Sequence, residues 1–224
     1  MKRFTRLYPK VEKIFSILPV LTIVILALSL RMYKLGEVPS SLYIDEVLGV
    51  YESYLYQTGH MNLSPRAVAV YFLMGTYPIY NLFGPNAFYV RLPAAIYGTL
   101  LVIITYLLSK EMFNEKIGLF SAVLTAISPW ALHFSRYEVP SSSYVFFFTL
   151  SVYLLYKGTK VQSKKEWYFA LGSIMLGLTT CTHIMSIAFI PIFLAGFLLI
   201  FVQKISKHTV IAVSYTHLTL PTKA

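Results

Sequence analysis

The chain has 224 residues, 57% hydrophobic and only 12% charged, where soluble domains run to about half and about a quarter. Its formal net charge is +10, but the basic residues sit in short clusters between apolar runs, which is the pattern of membrane topology and not of a nucleic-acid binder. A single cysteine, Cys181, excludes an internal disulfide framework and any cysteine-rich zinc site.

In chain order, the basic N-terminus "MKRFTRLYPKVEK" leads into "IFSILPVLTIVILALSL". That run is too long for a signal-peptide core and has no A-x-A site before Arg31, so we expect an uncleaved first span over residues 14–30. Further spans are expected at 87–108, 117–133 and 143–156, because each is long and mostly apolar. The block 167–202 has room for two short helices turning at "TTCTHIM". The expected fold is all-α, a polytopic transmembrane helical bundle of about six spans.

Orientation follows from the basic residues of the short connections. With the N-terminus cytoplasmic, the inner segments hold 13 Lys and Arg and the outer ones 5. This arrangement puts Asp45, Glu46, Glu138 and His183 on the outer face. The first outer loop, 31–86, is expected to be structured. In "SSLYIDEVLGVYESYL" the apolar residues Val47, Val50, Tyr51, Tyr54 and Leu55 recur at helical spacing, with Asp45, Gly49 and Glu52 opposite. Such a helix lies in the interface with its acids facing water or a cavity. "AVAVYFLMGTYPIYNLFG" is expected to pack at the membrane surface, and "GPN" at 84–86 to start the next helix.

The final stretch, "VSYTHLTLPTKA", is Thr-rich and aperiodic. Its first ten residues resemble the translation of a transposase adapter used in sequencing libraries. We therefore expect residues 1–212 to be the N-terminal part of a longer membrane domain and 213–224 to be foreign to it.

The residues able to carry chemistry are few. Asp45 and Glu46 suit the first turn of a helix electrostatically and also suit a carboxylate base. "SPWALHFSRYEVP" holds Arg136 and Glu138 at an outer helix end, with His133 one turn earlier; Trp130 and the tyrosines there also fit an interfacial aromatic belt. Arg91 lies just inside the second span, where a charge either faces a protein interior or snorkels. His183 is at the predicted outer turn of the last hairpin. No P-loop, GxGxxG, HExxH or GxSxG is present.

Four segments together resemble one family: "LRMYKLGEVPSSLYIDEVLGVYESYLYQTG", "YFLMGTYPIYNLFGPNAFYVRLPAAIYGTLLVIITYLLSKEMF", "IGLFSAVLTAISPWALHFSRYEVPSSSYVFFFTLSVYLLYK" and "ALGSIMLGLTTCTHIMSIAFIPIF". In order and spacing they are similar to the polyprenyl-phosphate-dependent glycosyltransferases of the GT-C membrane fold, the group of the protein O-mannosyltransferases and the lipid A aminoarabinose transferases. The resemblance implies transfer of a sugar, with inversion, from an isoprenoid-phosphate donor to a hydroxyl of a lipid, glycan or protein acceptor at the outer membrane face. The plasma membrane of a prokaryote is the expected location. On this reading Asp45 is the general base with Glu46 beside it, and Arg136 and Arg91 face the leaving phosphate. Glu138 supports Asp45, and His183 completes the substrate-binding set. Many relatives have an Asp shortly after S-R; here that place reads "SRYEVPSSSY". No cofactor is required, and a divalent cation gathered by Asp45, Glu46 and Glu138 stays open. The alternative is a non-enzymatic transporter or flippase of lipid-linked sugars. Transporters place polar sites near the bilayer midplane, whereas these acids lie at the surface.

Overall fold

The computed structural model describes residues 9–60, 76–183 and 186–201. The terminal stretch 213–224 and the first part of the predicted surface segment, 67–75, lie outside the described residues. The described elements are all helical: α1 Pro9–Met32, α2 Ile44–Gln57, α3 Thr76–Phe83, α4 Ala87–Met112, α5 Glu115–Ile127, α6 Pro129–Phe134, α7 Pro140–Lys160, α8 Lys165–Thr182 and α9 Ser186–Phe201.

Local chemistry sets the boundaries. Gly84 takes a positive φ of 76°, which glycine adopts at little cost, and Asn86 then caps α4 by accepting from the Phe88 N–H at 2.9 Å. The "GPN" turn is thus as expected. Asn114 caps α5 in the same way, accepting from Ile117 N–H. The third predicted span, 117–133, is corrected: it breaks at Ser128 into α5 and α6. Pro129 cannot donate a helical hydrogen bond and suits a first helical position, while Ser128 Oγ accepts from Ala131 N–H. The helix α8 ends at Thr182, within "TTCTHIM", and α9 starts at Ser186; residues 184–185 of the expected turn lie outside the described residues.

Among the described residues one helix, α4, is long and apolar enough to cross a membrane by length and composition. The apolar stretches Ile17–Met32 and Ser186–Phe201 are shorter. The 13 residues of α5 rise only about 20 Å. On this criterion the described residues thus supply one of the about six spans expected.

The helix α4 is the hub. It packs against α1, α5 and α7, while α8 lies along α7 and α9 follows on α8. Two buried clusters hold the layers. Ala27, Val102, Tyr106, Ala122 and Ala126 join α1, α4 and α5; Leu155, Phe169, Leu176, Ile190 and Phe197 join α7, α8 and α9. Small residues dominate the first seam, so its backbones approach closely. Ser151 Oγ also donates across the α7–α8 seam to Gly172 O at 2.7 Å. Because the helices alternate in direction, the basic α4–α5 and α7–α8 connections share one end. The starts of α4 and α7 and the ends of α5 and α8 share the other.

Buried Arg31 belongs to that second end. Its Nη1 donates to Ala27 O at 3.0 Å and Ala126 O at 3.3 Å, tying α1 to α5, and Gly98 of α4 passes directly over it. A Cβ at Gly98 would lie 2.2 Å from Ser135 Cβ and 2.8 Å from Arg31 Nε. Gly98→Ala is therefore expected to cost about 1–3 kcal/mol, read as a lower melting temperature in detergent. An unchanged melting temperature would show that the seam yields.

Candidate active site

The loop between α1 and α2 is held by arginines reaching in from elsewhere. Arg91 projects from the first turns of α4 into this loop and is fully buried. Its Nε donates to Glu46 Oε1 at 2.8 Å and its Nη2 to Glu46 Oε2 at 3.2 Å. Nη1 donates to Leu35 O at 3.1 Å and Pro39 O at 2.9 Å, and Nη2 to Ser41 O at 2.9 Å. A guanidinium has five N–H donors, and these five contacts use them all. The Tyr137 ring lies 5.7 Å from the guanidinium carbon.

Glu46 is equally occupied. Besides both Arg91 contacts it accepts from Tyr43 N–H at 2.7 Å, closing the start of α2, and from Glu138 N–H at 3.2 Å. An ionised carboxylate offers about four lone-pair positions, and all are taken. The helix α2 is turned so that Glu46 and Ser53 are buried, while Val47, Tyr51 and Tyr54 stay exposed to the surroundings of the protein. The sequence wheel placed Asp45, Gly49 and Glu52 opposite the apolar stripe. The face that packs is instead Glu46, Gly49 and Ser53, one residue around, because Arg91 draws Glu46 inward.

Arg136, half-buried, serves the other end of the same loop. Its Nη1 donates to Leu30 O at 3.0 Å, Arg31 O at 3.2 Å and Tyr33 O at 2.7 Å; its Nη2 donates to Val38 O at 3.0 Å and Lys34 O at 3.4 Å. The last carbonyls of a helix lack intrahelical partners and carry partial negative charge, so a cation at the end of α1 is favourable there. Burial first, and then the neighbouring Arg91 charge, push Arg136 below its usual pKa.

Asp45 is placed differently from its neighbour. It is exposed, and no hydrogen bond or ion pair ties its carboxylate among the described residues. It lines a cavity of about 390 Å³ with Tyr43, His133, Tyr137, Ser141 and His183. Tyr137 stands edge-on to Tyr43, with centroids 6.2 Å apart, and the His133 ring lies 4.7 Å from Tyr137. A second cavity of about 440 Å³ adjoins it, sharing Phe134, Ser141 and His183 and extending over Leu101, Trp130, Val145 and Phe189. The first is lined by both polar and apolar atoms; the second is almost wholly apolar.

The structure thus brings Asp45 and His183 to one cavity and sets Glu46, Arg91 and Glu138 together behind it. Arg136 lies beside the loop, bonded to carbonyls. Glu138 is buried, with its N–H on Glu46. No group of three His, Cys, Asp or Glu able to hold a metal occurs among the described residues. His133, Tyr43, Tyr137 and Ser141 were given no role from sequence. Only the closeness of His133 to the S-R pair hinted at it, and its register on α6 could not be read before the break at Ser128 was known.

The described residues thus form an all-helical protein with an acid-bearing cavity at one end. A family model for dolichyl-phosphate-mannose-protein mannosyltransferases matches residues 67–221. The chain therefore belongs to this family of membrane-associated, GT-C-type glycosyltransferases. The match includes Arg91, Arg136, Glu138 and His183 and begins after Asp45 and Glu46. An uncharacterized protein of Aquifex aeolicus (strain VF5) is 33% identical over 104 residues, covering 46% of this chain and 20% of that protein. The chain thus spans about a fifth of the length of the curated relative it matches. No solved structure matches.

Proposed function

We propose that the protein takes part in sugar transfer from an isoprenoid-phosphate donor to an acceptor hydroxyl, with Asp45 as general base. The observation that carries this reading is the division of labour between adjacent acids. Glu46 has no lone pair left for a proton, whereas the Asp45 carboxylate stands open at a cavity. The adjoining apolar cavity suits the isoprenoid chain, and the family's description, dolichyl-phosphate-mannose, names a donor of that class.

The step is a single displacement. The acceptor oxygen attacks the anomeric carbon while its proton passes to Asp45, and the bond from that carbon to the phosphate oxygen breaks. The attack comes from the face opposite the phosphate, so configuration inverts; the electron pair leaves with the phosphate, and no redox or group-carrying cofactor is needed. Arg91 and Arg136 act as positioning residues that hold the loop bearing Asp45. The site lies opposite the lysine-rich connections, which supports an outer-face location with a cytoplasmic N-terminus. It also supports a multi-pass arrangement in which α5 and α6 together make one crossing. The acceptor is a lipid, glycan or protein. The test is turnover of the full-length protein and its Asp45→Asn variant with polyprenyl-phosphate mannose, with product configuration read by NMR. Full turnover by the variant would remove Asp45 as base; a retained configuration would remove single displacement.

A further inference from the structure

We infer that His133 and His183 supply positive charge facing the donor's phosphate. The inference rests on the functional reading above and deepens it. A leaving phosphate gains from a cation placed where its charge develops. The two arginines nearest the site are committed elsewhere: every N–H of Arg91 meets Glu46 or a loop carbonyl, and both terminal nitrogens of Arg136 meet carbonyls at and beyond the end of α1. Among the described residues neither cavity is lined by a lysine or arginine.

What the first cavity does present is His133 from α6 and His183 at the C-terminal cap of α8, together with Asp45. His183 lines both cavities, so it stands where a headgroup in one would join a chain in the other. Tyr144 of α7 lies against its ring at 5.7 Å, and Tyr137 lies against His133 at 4.7 Å. Among the described residues that line this cavity, the other titratable groups are Asp45 and Tyr43. Of these residue types only histidine ordinarily changes charge between pH 5 and 8. An imidazolium donates from both ring nitrogens and attracts an anion; neutral imidazole donates from one. Phosphate binding here should therefore weaken as pH rises.

The test uses full-length protein and geranylgeranyl methyl phosphate, a diester that lacks the second ionisation a phosphate monoester shows near pH 6. Wild-type affinity, measured by titration calorimetry, is expected to fall about tenfold or more from pH 5.5 to pH 8, the scale of a charged hydrogen bond. His133→Gln and His183→Gln should each flatten the profile, and the double variant should bind at pH 5.5 as wild type does at pH 8. Geranylgeraniol, which has no phosphate, should bind all variants equally at both pH values and so reports a folded site. A wild-type profile without pH dependence, no binding of the diester at any pH, or a double variant that keeps the wild-type profile would each overturn the inference. The functional reading is judged separately. It stands if wild type transfers mannose from polyprenyl-phosphate mannose and Asp45→Asn does not, whatever the histidine variants do.

Discussion

Arg91→Ala is expected to lower the unfolding free energy by about 3–5 kcal/mol, the cost of leaving one partner of a buried ion pair alone. The size follows from what the side chain holds. Without it, the Glu46 carboxylate keeps only two backbone donors inside the protein, and the carbonyls of Leu35, Pro39 and Ser41 lose their partner at once. Arg91→Lys keeps the charge but has three donors on one nitrogen, so it cannot span Glu46 and three carbonyls. It is expected to recover less than half of the loss. Replacing both Arg91 and Glu46 with methionine gives a sharper comparison. For an isolated buried pair such a swap is often neutral or stabilising. Here it should remain destabilising, because the loop carbonyls are still orphaned. Urea-dependent unfolding in detergent, compared across the three variants, decides it; a neutral double variant would reduce the role of Arg91 to pairing with Glu46.

Asp45→Asn is expected to lower turnover by about 10²–10⁴-fold, the usual contribution of a positioned general base, with little change in stability. The stability part comes from the absence of any described partner for its carboxylate, so the loss is limited to a favourable charge at the first turn of α2, about 0.3–1 kcal/mol. Glu46→Gln should show the opposite balance. Its amide nitrogen would face the Arg91 guanidinium and lose part of the four-contact set, so stability falls first and turnover follows through displacement of the loop. Measuring melting temperature and turnover on both variants separates a proton acceptor from a support. If Asp45→Asn turns over normally, or if Glu46→Gln loses turnover at wild-type stability, the assignment of the two acids is reversed.

What the sequence by itself determined is what depends on neighbours along the chain. Helix followed helix where apolar runs dictated, "GPN" turned where a positive φ allows, α8 stopped within "TTCTHIM", and lysines gathered at one end of the alternating helices. The motif order was enough to point to the family that the comparison supports. The break at Ser128 was readable from Ser-Pro, yet the apolar content of 117–133 outweighed it.

Only the tertiary structure decided which acid does what. Asp45 and Glu46 are adjacent and differ by about 100° around a helix; a wheel gives that angle but not its zero. The zero is set by Arg91, 45 residues away on α4, which binds Glu46 and turns Asp45 to the cavity. In the same way Arg91 and Arg136 read as phosphate ligands because they are cations near an outer helix end. Their commitment to backbone carbonyls about 50 and about 100 residues distant could not be seen locally. A buried guanidinium must satisfy its donors wherever the fold brings acceptors, so its role is decided by packing and not by its position in the sequence.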